Sequence, residues 1–102
     1  MSMYAYWLAN SGLTVHKLTG LMTEGIGAEE LYALQETRMK KIRVLDEKDV
    51  GKITQSRRQW DVQERWGKLQ GEGIGFVCVE DARYPQKLRR ISATPYALYY
   101  IG

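Results

Sequence analysis

Gly71-Glu72-Gly73-Ile74-Gly75-Phe76-Val77-Cys78-Val79 is the stretch on which the fold turns. Three alternating glycines stop any helix that reaches them. Ile74 to Val79 is apolar and β-branched, which predicts a buried strand. The patterns before it are helical, and those after it include a second strand. A boundary near Gly71–Gly73 follows, with a helical domain over 1–72 and the start of a sheet domain over 73–102.

Upstream, Met3 to Ala9 predicts a first helix, stopped at Asn10-Ser11-Gly12. Thr14 is a good N-cap for a second, with Leu13 and Leu18 placed as a hydrophobic staple. Val15, Leu18 and Met22 are expected on its inner face, and it ends by Glu24-Gly25. A third helix starts with Gly27 as N-cap and Ile26 and Leu31 as staple, and fades at Gln35-Glu36-Thr37. The fourth has the best start signal, with Asp46 as N-cap, Asp49 three residues on, and Leu45 and Val50 as staple. It fades near Ser56-Arg57. A fifth, roughly Gln59 to Gln70, carries Val62, Trp66 and Leu69 on one face.

Downstream, Asp81 opens a turn and Pro85 suits the first position of a short helix through Arg90, since its missing N–H costs nothing there. Leu88 and Ile91 form the apolar side of that helix. Ala93-Thr94-Pro95 is a turn, and Tyr96 to Ile101 predicts a second strand. A lone strand pair cannot bury both faces. It reads as the opening of a larger sheet, with the strand from Ala97 to Ile101 expected to pair with a second copy through its edge.

The chain has 102 residues, with 15 Lys+Arg against 12 Asp+Glu. The net charge of +3 is uneven. Residues 1–37 sum to −3, residues 38–68 to +5, and residues 69–102 to +1. The middle segment suits a nucleic acid or an acidic partner. Its cations alternate with Asp46, Glu47, Asp49, Asp61 and Glu64, as on a solvated helix face. Lys40, Lys41, Arg43, Arg57 and Arg58, with Lys17, are the candidate nucleic-acid contacts. One cysteine, Cys78, excludes an internal disulfide and a Cys-rich metal site. It is expected to be a buried, inert thiol. One histidine, His16, argues against a zinc centre or a Ser-His-Asp triad. No apolar run is long enough for a transmembrane helix and no signal peptide is read. A cytoplasmic interaction module without cofactor or metal is expected, rather than an enzyme.

Two glycine turns could bind anions. Gly25-Ile26-Gly27 resembles the hairpin of a helix-hairpin-helix, but Glu29 and Glu30 would repel phosphate. Asn10 to Thr14, leading into His16 and Lys17, is compatible with an anion but lacks a second glycine. Trp7, Trp60, Trp66 and the tyrosines could stack bases. At helical spacing they are more commonly core.

The segment from Gly73 to Ile91, followed by Pro95 to Gly102, resembles the DprA/Smf family of DNA-processing proteins. Asp81, Tyr84, Pro85, Leu88, Ile91, Pro95, Leu98, Tyr99 and Gly102 match its pattern of strand, acidic residue, Tyr-Pro, Leu, Ile, Pro and Leu-Tyr-x-x-Gly. Tyr6-Trp7-Leu8-Ala9 and Gly12-Leu13-Thr14 are similar to the family's helical opening. Only one proline of its usual Asp-Pro-Pro turn is kept, its Pro-Gly-Leu-Gly hairpin is degenerate, and residues 25–70 match only in helical character. The resemblance implies a mainly α chain. A small helical domain, sterile-alpha-motif or helix-hairpin-helix-like, would precede the first two strands of a truncated Rossmann-like α/β domain. It also implies a non-enzymatic protein that binds and protects incoming single-stranded DNA and aids RecA loading in natural transformation. Both contacts would lie in the sheet domain beyond Gly102. For this chain it leaves an accessory role, or a docking or self-association role without DNA.

Overall fold

The computed structural model describes residues 2–79, 81–89 and 94–101. Six helices precede the first strand: α1 (Ser2–Ala9), α2 (Val15–Thr23), α3 (Ala28–Ala33), α4 (Glu36–Met39), α5 (Glu47–Gln59) and α6 (Val62–Gly71). Strand β1 (Ile74–Cys78), a short helix α7 (Gln86–Arg89) and strand β2 (Ala97–Ile101) follow. Among the described residues the molecule is mostly helical, with one two-stranded antiparallel sheet.

The caps act where the side chains predict them. The Lys17 N–H donates to Thr14 Oγ1 at 3.2 Å and starts α2. At α5 the capping box is complete: the Asp49 N–H donates to Asp46 at 2.9 Å, and the Asp46 N–H to Asp49 at 3.0 Å. Helix α2 closes in a Schellman turn, in which the Ile26 N–H reaches Leu21 O and the Gly25 N–H reaches Met22 O. Gly25 sits at φ +76°, which a side chain would strain.

Several boundaries differ from expectation, each for a local reason. Helix α3 stops at Ala33 because Leu34 is extended, and a separate turn, α4, follows. Helix α5 runs on to Gln59, and Trp60 is extended. Asp61 then caps α6, which begins at Val62 rather than Gln59. Val15 is exposed, and Leu21 takes the inward place on α2 beside Leu18. The strands are one residue shorter than expected, although the Val79 N–H still donates to Tyr96 O at 2.8 Å. Arg90, Ile91 and Gly102 lie outside the described residues.

The core centres on Trp7, Leu18, Leu21, Leu31, Met39, Val50 and Ile53. Its largest member, Trp7, is fully buried and donates its indole N–H to Ser56 Oγ at 3.1 Å. That bond satisfies both polar groups and ties α1 to α5. Gly20 lets α2 approach the α4–α5 connection, because a Cβ there would meet Val44 at 2.5 Å.

The sheet pairs Phe76 with Tyr99 and Gly75 with Tyr100. Phe76 joins Ala5 and Leu69 in a second apolar cluster, so β1 packs on α1 and α6 across the Gly71–Gly73 boundary. The Tyr100 ring lies over Gly75, where a Cβ would clash with the ring. A right-handed crossover to a parallel neighbour, as in a doubly wound unit, is not the way this pair is joined. Tyr99, Tyr100 and Ile101 are 49%, 45% and 93% exposed.

Candidate nucleic-acid interface

The connection from α4 to α5 presents cations between apolar anchors. Met39 and Leu45 are buried and Ile42 is half-buried, while Lys40, Lys41 and Arg43 between them are exposed. Consecutive tight turns hold this shape, from Lys41 N–H to Arg38 O, Ile42 N–H to Met39 O and Leu45 N–H to Ile42 O. The anchors leave the three charged side chains only the outer surface. Arg58, one residue before the end of α5, is also exposed.

The other two candidate cations are used inside the fold. Lys17 Nζ donates to Val44 O at 2.8 Å and lies 3.0 Å from the Asp49 carboxylate. Asp49 is nearly buried, so this pair is a structural one. Arg57 donates to the carbonyls of Tyr32 at 3.0 Å and Leu34 at 2.6 Å. Those carbonyls close the end of α3, where helices leave acceptors unpaired. The six candidates therefore divide into four outward and two inward.

Neither glycine turn gathers an anion site. At Asn10 to Thr14, Lys17 is drawn away to Asp49, and Lys52 donates to Gly12 O at 3.3 Å. His16 is exposed beside it. At Gly25-Ile26-Gly27 the following helix carries Glu29 and Glu30 in its first turn. Cys78 is half-buried in β1, less sheltered than expected. Among the described residues no cluster of His, Cys, Asp and Glu could hold a metal ion. Among them, too, no helix is long and apolar enough to cross a membrane.

The tryptophans divide similarly. Trp7 is core, whereas Trp60 and Trp66 are half-buried at the surface. Tyr6 sits among Trp60, Trp66, Phe76 and Tyr99, with ring centres 5.3 to 6.1 Å away. Burial, with the neighbouring Tyr99, pushes the Tyr6 hydroxyl above the usual tyrosine range. The Arg65 guanidinium lies 4.4 Å over the Trp60 ring, a favourable placement for a cation. Sequence reading gave Arg65 no role. Its place five residues after Trp60, across a cap, carries no periodic signal.

Of the residues that carry the family resemblance, Tyr84 and Pro95 meet in space. Tyr84 is buried and donates its hydroxyl to Pro95 O at 2.7 Å. Burial raises the pKa of that hydroxyl. The Asp81 carboxylate accepts from Arg83 at 3.1 Å and is held below the usual carboxylate range by that bond. Arg89 donates to the carbonyls of Val79 and Asp81 and lies over the Tyr84 ring. Thr94 Oγ1 donates to Leu88 O at 3.1 Å. Leu98 stands opposite Val77, and Tyr99 accepts from Asn10 of the helical part at 3.0 Å. Pro85 is exposed just before α7.

No family model, curated protein or solved structure matches the chain.

Proposed function

We propose that the chain is the N-terminal part of a DprA-like protein that binds single-stranded DNA, and that its helical segment is an accessory contact for that strand. Four outward cations, Lys40, Lys41, Arg43 and Arg58, carry the reading. The meeting of Tyr84 with Pro95 supports the resemblance behind it. In this reading the fold is the helical module and first strands of a Rossmann-like domain. Protection of incoming DNA and RecA loading belong to the parent protein, and no catalytic step is assigned.

Anisotropy of a labelled oligo-dT, titrated with the chain across salt, tests it. Each phosphate neutralised on a single strand contributes about −0.7 to the slope of log K against log salt, so four contacts give about −3. Neutralising Lys40, Lys41 and Arg43 to glutamine should leave about one quarter of that slope, and reversing their charge should abolish binding. No binding at low salt, or binding indifferent to salt, overturns the reading.

A second reading rests on a different observation, the apolar side chains that β2 presents to solvent. Here the chain docks a second copy of itself through the strand edge. Sedimentation should then show a dimer that Ile101→Lys dissociates. A monomer at high concentration contradicts it.

A further inference from the structure

A groove of about 540 Å³ lies between α1 and the α5–α6 corner. Its walls include the rings of Tyr4, Tyr32 and Trp60, with Arg58 and the amides of Gln59 and Gln63 beside them. The rings are held from behind. Tyr32 packs edge-on against Trp7 with centres 5.1 Å apart, and Trp7 is fixed by Ser56. Arg57 holds the Tyr32 backbone carbonyl. Tyr4 leans on Tyr32, also at 5.1 Å. Behind Trp60, the Arg65 guanidinium belongs to the neighbouring groove over Tyr6 and Leu69.

These groups match the parts of one nucleotide. Aromatic rings offer stacking faces to any base. Amides offer both a donor and an acceptor to a base edge. Arg58 supplies a cation, free of any protein partner among the described residues, for a phosphate. Asp61 also lines the groove, but its carboxylate accepts the Glu64 N–H at 3.1 Å as the cap of α6. Its charge is directed at the helix terminus, where it is favoured.

We infer that this groove takes an unstacked base of a single-stranded nucleic acid, with Arg58 on the adjoining phosphate. The inference rests on the nucleic-acid reading above and adds base contact to it. Gly51 and Arg58 stand seven residues apart and so share a face of α5. Lys40 and Gly51 line one shallow pocket with Glu36, Glu47 and Lys48, so a strand running from Lys40 along that face would reach the groove.

The test compares two ligands on the unaltered chain. One is an oligo-dT, the other an abasic oligonucleotide of equal length and phosphate number. Base stacking predicts about 10-fold tighter binding of oligo-dT, with quenching of tryptophan fluorescence. Tyr4→Leu should weaken oligo-dT alone, and Arg58→Gln should weaken both ligands. Equal affinity for the two oligonucleotides overturns the groove and leaves the cationic reading standing. Binding of neither overturns the cationic reading and the groove with it.

Discussion

The inner side of α5 and the turn that precedes the helix use the same kind of charge in opposite ways. On the inner side Arg57 is consumed by carbonyls of α3, and Lys17 reaches in from α2 to Asp49. On the turn, Lys40, Lys41 and Arg43 are pushed outward by the buried side chains between them. A count of charges treats these residues alike, and the partners decide which remain for a ligand. A cation drawn partly out of water is costly unless it is paired, so Lys17 and Arg57 are bound up in stability. The exposed ones contribute little to it.

The largest test of this contrast is at the inner side. Trp7→Ala should cost about 3–5 kcal/mol, a large share of the roughly 5–15 kcal/mol that holds a small domain together. Urea unfolding followed by circular dichroism should show the transition moved close to zero denaturant. A midpoint like that of the unaltered chain would mean that α1 and α5 are not joined through this residue.

Arg57 and Arg58 give the sharpest comparison, since they are adjacent. Arg57→Ala leaves carbonyls at the end of α3 without their donor and should cost about 1–3 kcal/mol. Arg58→Ala should change stability by less than about 0.5 kcal/mol while weakening oligonucleotide binding. Equal effects on stability from the two substitutions would erase the inward and outward division.

The pH dependence separates the carboxylates from the tyrosines. The Asp46 carboxylate lies below its ordinary pKa, chiefly because the Asp49 N–H donates to it, with Lys17 nearby. Asp81 is lowered by Arg83. A depressed folded-state pKa means stability present above about pH 4 and lost as pH falls through the folded value. Tyr84 runs the other way: its raised pKa contributes stability present below about pH 10 and lost as pH rises through the folded value. Thermal melts across pH should fall at both ends, and Tyr84→Phe should reduce the alkaline fall, to which Tyr6 also contributes, while leaving the acid fall unchanged. An alkaline fall unchanged in Tyr84→Phe would assign it elsewhere.

A gain in stability is expected at one of two glycines. A Cβ at Gly51 meets nothing within 4 Å. Gly51→Ala should therefore stabilise α5 by up to about 1 kcal/mol. Gly20→Ala should give no such gain, because its Cβ meets Val44. A similar rise in melting temperature for both would show that α2 does not press on the connection after α4.

Local features were legible in the sequence because their causes are local. Thr14, Gly27 and Asp46 cap where their chemistry places them, and the glycines at 71 and 73 end the last long helix. Helix α4 was missed because its four residues make one turn, too short to show a period. The start of α6 was misplaced because Gln59 continues one helix and Asp61 begins the next. The site was only partly legible. The basic segment pointed to Lys40, Lys41, Arg43 and Arg58. It gave no sign that Arg57 would meet carbonyls 23 and 25 residues away, or Lys17 one 27 residues away. Tyr4, Tyr32 and Trp60 come from three separate segments, so no spacing announces that their rings line one groove.

The Tyr100 ring over Gly75 has a consequence for folding errors. Two short strands offer few hydrogen bonds to fix their alignment, and a slip by one residue turns every side chain to the opposite face. Here a slip would carry Tyr100 away from Gly75 to the face on which Phe76 packs against α1 and α6, and would turn Tyr99 outward. Glycine thus serves as a keyhole and tyrosine as its key, and a slipped sheet would lose that fit.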